Sequence, residues 1–197
     1  MSFASRSVHA FIEALASPEP TPGGVSAAAV AAAMGTGLLV MVAGLARTRS
    51  NTDEERAALG AARTRLLPLV PVLEALADRD AAAFDRVMAA YRLPKATDDD
   101  KAARTAAIAA AMREATEVPL ETLRLATEAL EAGDTVARDG NTSAASDVRV
   151  GAGLLMAAAE GAAANVRINL DGQRDDEYRR RVAMAMDGLM DRARLAS

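Results

Sequence analysis

The sequence predicts an all-α protein, an antiparallel bundle of about six helices around a central apolar helix rich in alanine and glycine, and three observations carry that reading. Hydrophobic residues make up 51% of the 197-residue chain and aromatic ones only 3%, so the interior has to be assembled from small side chains that let helix backbones come close. Apolar residues repeat at steps of three and four, the period of a helix with one buried stripe. Nowhere do β-branched and aromatic residues gather in the short alternating runs that mark strands. A chain of this length buries one sizeable core, so residues 1–197 are read as a single domain.

Taken in order, Ser5 to Ala16 reads as a short amphipathic helix with Val8, Phe11, Ile12 and Leu15 on one side. Pro18, Pro20 and Pro22 break it, and Thr21-Pro22 looks like the entry to the next helix, because threonine caps well and proline is tolerated at the first helical position. That helix is predicted to run to about Ala46. The stretch from Pro20 to Ala46 carries no charge and is long enough to cross a bilayer. It is nevertheless read as a buried central helix, since Ala and Gly dominate it and no aromatic anchors stand at its ends. Gly23, Ala27, Ala31 and Gly35 fall four apart, giving a smooth ridge against which another helix can pack.

Thr52-Asp53-Glu54-Glu55 fits a capping box. It opens a long helical stretch ending near Tyr91, which Pro68 and Pro71 should kink or divide and Leu93-Pro94 stops. Thr97 to Asp100 offers caps for a helix reaching about Ala132, with a bend at Pro119, and Gly133 and Gly140 mark turns. Two further helices cover about Ser143 to Leu170 and Asp175 to Leu195.

The charge balance narrows the function. A net charge of -4 argues against nucleic acid and anionic lipid, which need clustered Lys and Arg; neither is expected as a partner, and a small molecule is. The chain has no cysteine and one histidine, His9, so thiolate chemistry and an imidazole metal cluster are ruled out within one chain, and acid–base work falls to carboxylates, lysine or tyrosine. Arg6, His9 and Glu13 interrupt any apolar leader at the N-terminus, so a cytoplasmic location is expected.

Asp80 is the first candidate site residue. It shares a helix stripe with Leu66, Val70, Leu73, Ala77, Phe84, Val87 and Tyr91, and a carboxylate on an apolar stripe must be paired, hydrogen-bonded, facing a cavity or protonated. It is either a structural aspartate bonded to a cap or an acid–base group with a burial-raised pKa. Asp147 falls in the first turns of the helix after Gly140-Asn141, where the exposed N–H groups favour an anion. Asn165 and Asn169 share a face of that helix one turn apart. Asp147 and Asn165 return to the same azimuth about 27 Å apart along the axis, so they cannot grip one atom; a long ligand or a second subunit would be needed to use both. Gly23-Gly24 before Ser26 can cradle an anion at a helix N-terminus or simply form a tight turn. Lys95 is a loop cation, His9 a surface residue, and Met34, Met41, Met88, Met112 and Met156 are expected to fill the core.

The run Ser17 to Ala28, with Thr21-Pro22-Gly23-Gly24-Val25-Ser26 at its heart, resembles the opening motif of the cyclodeaminase/cyclohydrolase family. That family includes the cyclodeaminase domain of formiminotransferase-cyclodeaminase and stand-alone methenyltetrahydrofolate cyclohydrolases. Three later segments agree with the resemblance: Asp80 to Phe84 with Leu93-Pro94-Lys95, Gly140 to Asp147 with Asn141 and Ser146, and Asn165-Val166-Arg167-Ile168-Asn169-Leu170. The resemblance implies a helical homodimer that binds a tetrahydrofolate derivative as substrate, without a metal or redox cofactor. Asp80 and Asp147 become the expected catalytic carboxylates. Thr21, Gly23, Gly24, Ser26, Lys95, Asn141, Ser146, Asn165, Arg167 and Asn169 become the expected substrate-binding set, with Lys95 and Arg167 assigned on charge to the glutamate carboxylates. Of the two family reactions the expectation leans to the cyclohydrolase, which opens 5,10-methenyltetrahydrofolate to 10-formyltetrahydrofolate. The alternatives are the cyclodeaminase, which releases ammonia from 5-formiminotetrahydrofolate, and a non-catalytic folate-binding or scaffold protein.

Overall fold

The structure is a computed structural model that describes Phe3 and residues 5–45 and 51–197. Among these residues it contains seven α-helices, one short 3-10 turn and no strand. They are α1 (Val8–Leu15), α2 (Gly24–Gly44), α3 (Asp53–Leu66), α4 (Leu69–Tyr91), α5 (Asp98–Asp139), α6 (Ala145–Asp171) and α7 (Asp176–Leu195). The seventh helix arises because the long stretch opened by Thr52 is divided at Leu67-Pro68, the division its prolines predict. Thr52 with Glu55 and Thr97 with Asp100 form the reciprocal capping boxes at the starts of α3 and α5.

Three boundaries differ from the sequence reading. The apolar helix is capped by Gly23 and starts at Gly24 rather than at Thr21-Pro22; those two residues are joined by a cis peptide bond. Its predicted end at Ala46 lies outside the described residues, and the helix closes at Gly44. Gly133 does not make a turn. α5 runs through it for 42 residues, because Gly133 is where α5 lets Leu39 in: a Cβ there would stand 2.8 Å from Leu39 Cδ1.

α2 is the central helix, packed against α6, α4, α3 and α5. It is long and apolar enough to cross a membrane, and within this fold about half of it is buried. Its seam with α6 runs through small residues, as predicted; Gly35 of the predicted set lies in it, while Gly24 and Ala28 take the places expected for Gly23 and Ala27. Gly24 faces Asn165, Ala28 faces Gly161, and a Cβ on Gly35 would lie 2.6 Å from the carbonyl oxygen of Gly151. The two backbones touch there, and only glycine permits it. Leu39, Leu66, Leu73, Leu76, Leu123, Leu130 and Leu155 are fully buried around this seam, each stabilising the fold by about 1.5–3 kcal/mol. Met34 and Met41, expected in the core, are instead 51% and 42% exposed, because they lie on the side of α2 turned away from α4, α5 and α6.

Pro119 sits inside α5 and has no N–H to offer the carbonyl of Ala115. The Asn169 side-chain amide of α6 donates to that carbonyl at 2.8 Å, so the break in one helix is repaired by its neighbour.

Candidate active site

α2 acts as a wedge between α4 and α6, and it starts late. At Gly24 it meets Asn165 of α6, and at Ser26 it meets Asp80 of α4, yet α4 continues to Tyr91 and α6 to Asp171. Past the start of α2 the two outer helices each continue along α5 with little contact between them, so the space between them has α5 as its floor and is taken as the candidate cleft. The Arg86 guanidinium donates to both Glu114 carboxylate oxygens, at 2.6 and 2.7 Å, tying α4 to that floor, and Asn169 ties α6 to it. From Asp80 to Tyr91 the cleft wall spans eleven residues of one helix face, about 16 Å.

Asp80 stands at the closed end. One carboxylate oxygen accepts from the Ser26 hydroxyl at 2.8 Å and from the Ser26 backbone N–H at 3.1 Å; the same hydroxyl also lies 3.2 Å from the Ala77 carbonyl. The anion that the Gly23-Gly24 turn was read as able to cradle is therefore the chain's own carboxylate, seated on the first turn of α2. Burial pushes the Asp80 carboxyl above its ordinary value, and the two bonds from Ser26 partly oppose that rise. This is a carboxylate that is held in one orientation, partly shielded from water and raised in pKa by its burial.

The predicted residues divide between two ends of the molecule. Thr21, Gly23, Gly24, Ser26, Asp80 and Asn165 gather at the closed end of the cleft. Asn165 is half-buried and donates to the Gly161 carbonyl at 3.0 Å, which leaves its amide oxygen for another partner. Asn169 lines the same wall, but its amide is committed to Ala115. Lys95 is exposed in the connection just beyond Tyr91. Arg167 lies on the far side of α6, 3.9 Å from Asp187 of α7, so its charge does not reach the cleft from within one chain. Asn141, Ser146 and Asp147 are at the opposite end. Asn141 caps the 3-10 turn Thr142–Ala144 by accepting from the Ser143 N–H, and Asp147 follows in the first turn of α6. Gly140 packs on Val42 there, near the finish of α2. Asp80 and Asp147 are thus separated by about 25 Å, the length of α2 between them.

Sequence reasoning overlooked the floor. Arg104, Ile108, Ala111 and Ala115 fall at steps of four, three and four along α5, a stripe that mirrors the Asp80-to-Tyr91 stripe of α4 and that the same spacing argument would have found. Arg104 donates to the Tyr91 carbonyl at 3.1 Å, closing the end of α4.

The family profile described as formiminotransferase-cyclodeaminase matches residues 7–188. Methenyltetrahydrofolate cyclohydrolase of Methylorubrum extorquens is 37% identical over 94% of this chain and 89% of its own length. Formimidoyltransferase-cyclodeaminase of Rattus norvegicus is 32% identical over 98% of this chain, which spans 36% of the rat protein. The crystal structure of formiminotetrahydrofolate cyclodeaminase from Thermotoga maritima superposes with a TM-score of 0.86 at 25% identity, covering 98% of this chain and 92% of that one. With the family profile and these relatives matching across almost the whole sequence, the chain belongs to the formiminotransferase-cyclodeaminase family.

Proposed function

We propose that this chain hydrolyses 5,10-methenyltetrahydrofolate to 10-formyltetrahydrofolate. The observation that carries the reading is Asp80, clamped by Ser26 at the closed end of a long cleft, in a chain that shares 37% identity with a methenyltetrahydrofolate cyclohydrolase over nearly its full length. The reaction needs a group that first takes a proton and then returns it. As water adds to the methenyl carbon, Asp80 accepts one water proton and the remaining hydroxyl bonds to carbon, discharging the N5–C–N10 cation. Asp80 then hands its proton to N5 as the N5–C bond breaks; the hydroxyl proton leaves to solvent and the formyl group stays on N10. A raised carboxyl pKa makes the ionised form a better base for the first step and keeps more of the protonated form in place to donate in the second. The carboxylate also stabilises the cationic carbon before water arrives.

The second reading is the cyclodeaminase, and the likeness to the Thermotoga maritima enzyme favours it. There N10 attacks the formimino carbon and ammonia departs, with the same carboxylate relaying the proton. Following the methenyl chromophore with purified protein separates the two. Faster loss of methenyl absorbance than in buffer supports hydrolysis. Its appearance from 5-formiminotetrahydrofolate with ammonia release assigns cyclodeamination instead, and no rate above buffer with either compound removes both.

We infer that the working unit is a homodimer in which each cleft is completed by the other copy. The exposed side of α6 supports it: it presents Val150 and Ile168, 55% and 66% exposed, with Gly153, Ala157 and Ala164 between them, and an apolar face with small residues along its middle suits close helix pairing. With the twofold axis perpendicular to α6, the two copies of the helix run antiparallel. That arrangement brings the beginning of one α6 to the end of the other, and so carries the partner's Asp147 toward Asn165 and Asp80.

A further inference from the structure

Aromatic side chains are scarce in this chain, which has three phenylalanines, two tyrosines and no tryptophan. Four of the five have a partner for their rings. Phe3 and Phe11 meet edge to face with centres 6.3 Å apart, and the Arg6 guanidinium stands 4.5 Å from the Phe3 ring centre. Arg104 lies over Tyr91 at 5.6 Å, and Arg113 and Arg181 lie within 5.2 Å of the Tyr178 ring centre. Phe84 is the exception. Among the described residues no ring or guanidinium is paired with it, and it belongs neither to the buried core nor to the partly buried side chains packed on that core. It is half-buried all the same, a large apolar ring kept off the core on the stripe of α4 that walls the cleft.

Its place on α4 says what that ring can meet. Phe84 follows Asp80 by one helical turn, which sets their Cβ atoms about 5–6 Å apart on one face, and helical side chains lean toward the N-terminus, here toward Asp80. Ser26 holds the Asp80 carboxylate at the start of α2, and Phe84 stands just past it. The face of a benzene ring carries partial negative charge and attracts a cation within about 6 Å of its centre. The methenyl bridge is a flat cation spread over N5, carbon and N10, and the formimino group, an amidine, is cationic when protonated. A 10-formyl group is neutral. A charged one-carbon unit beside Asp80 therefore meets a carboxylate and an aromatic face together, and a neutral one gains from neither.

We propose that Phe84 is a specificity-determining residue whose ring face holds the cationic one-carbon unit, so that the site prefers a charged substrate to an uncharged folate of similar shape. The proposal rests on the folate reading. The contact is present in the bound substrate and fades as the carbon loses its charge, so removing the ring should raise KM without lowering kcat. The test measures KM for whichever of the methenyl and formimino substrates the protein turns over, and the inhibition constant of 5-formyltetrahydrofolate, whose one-carbon unit is neutral. Phe84→Leu, which keeps apolar bulk and loses the ring, should raise KM about fivefold and the inhibition constant by less than about twofold. Phe84→Tyr, which keeps the ring, should bring KM back toward the wild-type value. If Phe84→Leu folds poorly, 3,4,5-trifluorophenylalanine incorporated at position 84 keeps the side-chain shape while draining charge from the ring face, and it should raise KM with helical content unchanged. KM and inhibition constant rising in proportion in Phe84→Leu, or a KM that fluorination leaves unmoved, would overturn the role of the ring while leaving folate turnover standing. A wild type that turns over neither substrate would instead remove the folate reading on which the proposal depends.

Discussion

The two ends of α2 carry two aspartates of the same sequence family motif, and they live in different physical worlds. At the start of α2, Asp80 is seated on a helix N-terminus by a hydroxyl and a backbone N–H and lifted in pKa by burial. At the finish, Asp147 is half-buried in the first turn of α6 beside an asparagine-capped 3-10 turn, about 25 Å away. One end is a carboxylate clamped entirely within a single chain. The other is a polar edge on which the aspartate has no such clamp among the described residues. Membership of one motif set therefore says nothing about membership of one site.

Substitution at each end tests that contrast. The largest effect is expected from Asp80→Asn, which keeps shape and loses the proton relay: methenyl turnover should fall by about 10²- to 10⁴-fold with helical content by circular dichroism unchanged. Near-normal turnover would remove Asp80 from the chemistry. Asp147→Asn should also lower turnover, and the informative experiment mixes the two inactive variants. If each cleft draws Asp80 from one copy and Asp147 from the other, random pairing rebuilds about a quarter of the sites, and activity returns on mixing; lasting inactivity confines Asp147 to its own subunit.

Ser26→Ala gives a smaller, directional effect. Its hydroxyl bond favours the ionised form, so its loss lets the Asp80 pKa rise further. Activity that needs ionised Asp80 is present above that pKa and lost as pH falls through it, so the acid limb of the kcat/KM profile should move to higher pH. A shift to lower pH contradicts the assignment. The smallest catalytic effect is expected from Asn169→Ala, whose amide serves the Ala115 carbonyl orphaned by Pro119. It should cost about 1–3 kcal/mol of stability, a fall in Tm of about 2–4 °C per kcal/mol for a domain of this size, with little change in KM. A KM effect without a Tm effect would return Asn169 to the substrate.

The sequence made the helices legible wherever a local signal was self-sufficient. Thr52 with Glu55 and Thr97 with Asp100 announced their caps, and Pro68 announced the division of a long helix. Gly133 was misread because a helical glycine that admits Leu39 looks identical, in one dimension, to a glycine that ends a helix. Met34 and Met41 were misread because hydrophobicity does not say which face of a central helix is left uncovered. Asp80 was legible as a carboxylate on an apolar stripe, but its partner was not, since Ser26 is 54 residues away. Asn169 looked like a ligand group until Pro119 supplied the orphaned carbonyl that explains it.

The glycine contact between α2 and α6 has a consequence for anyone reshaping this molecule. With the Gly35 and Gly151 backbones already touching, that seam cannot be tightened, and any side chain added there pries the helices apart along their whole length. Cleft width is thus set on one side by a fixed fulcrum. Room for a bulkier ligand has to be found on the α4 wall, at Phe84, Val87 and Met88, where side chains rather than backbones form the boundary and can be exchanged one at a time.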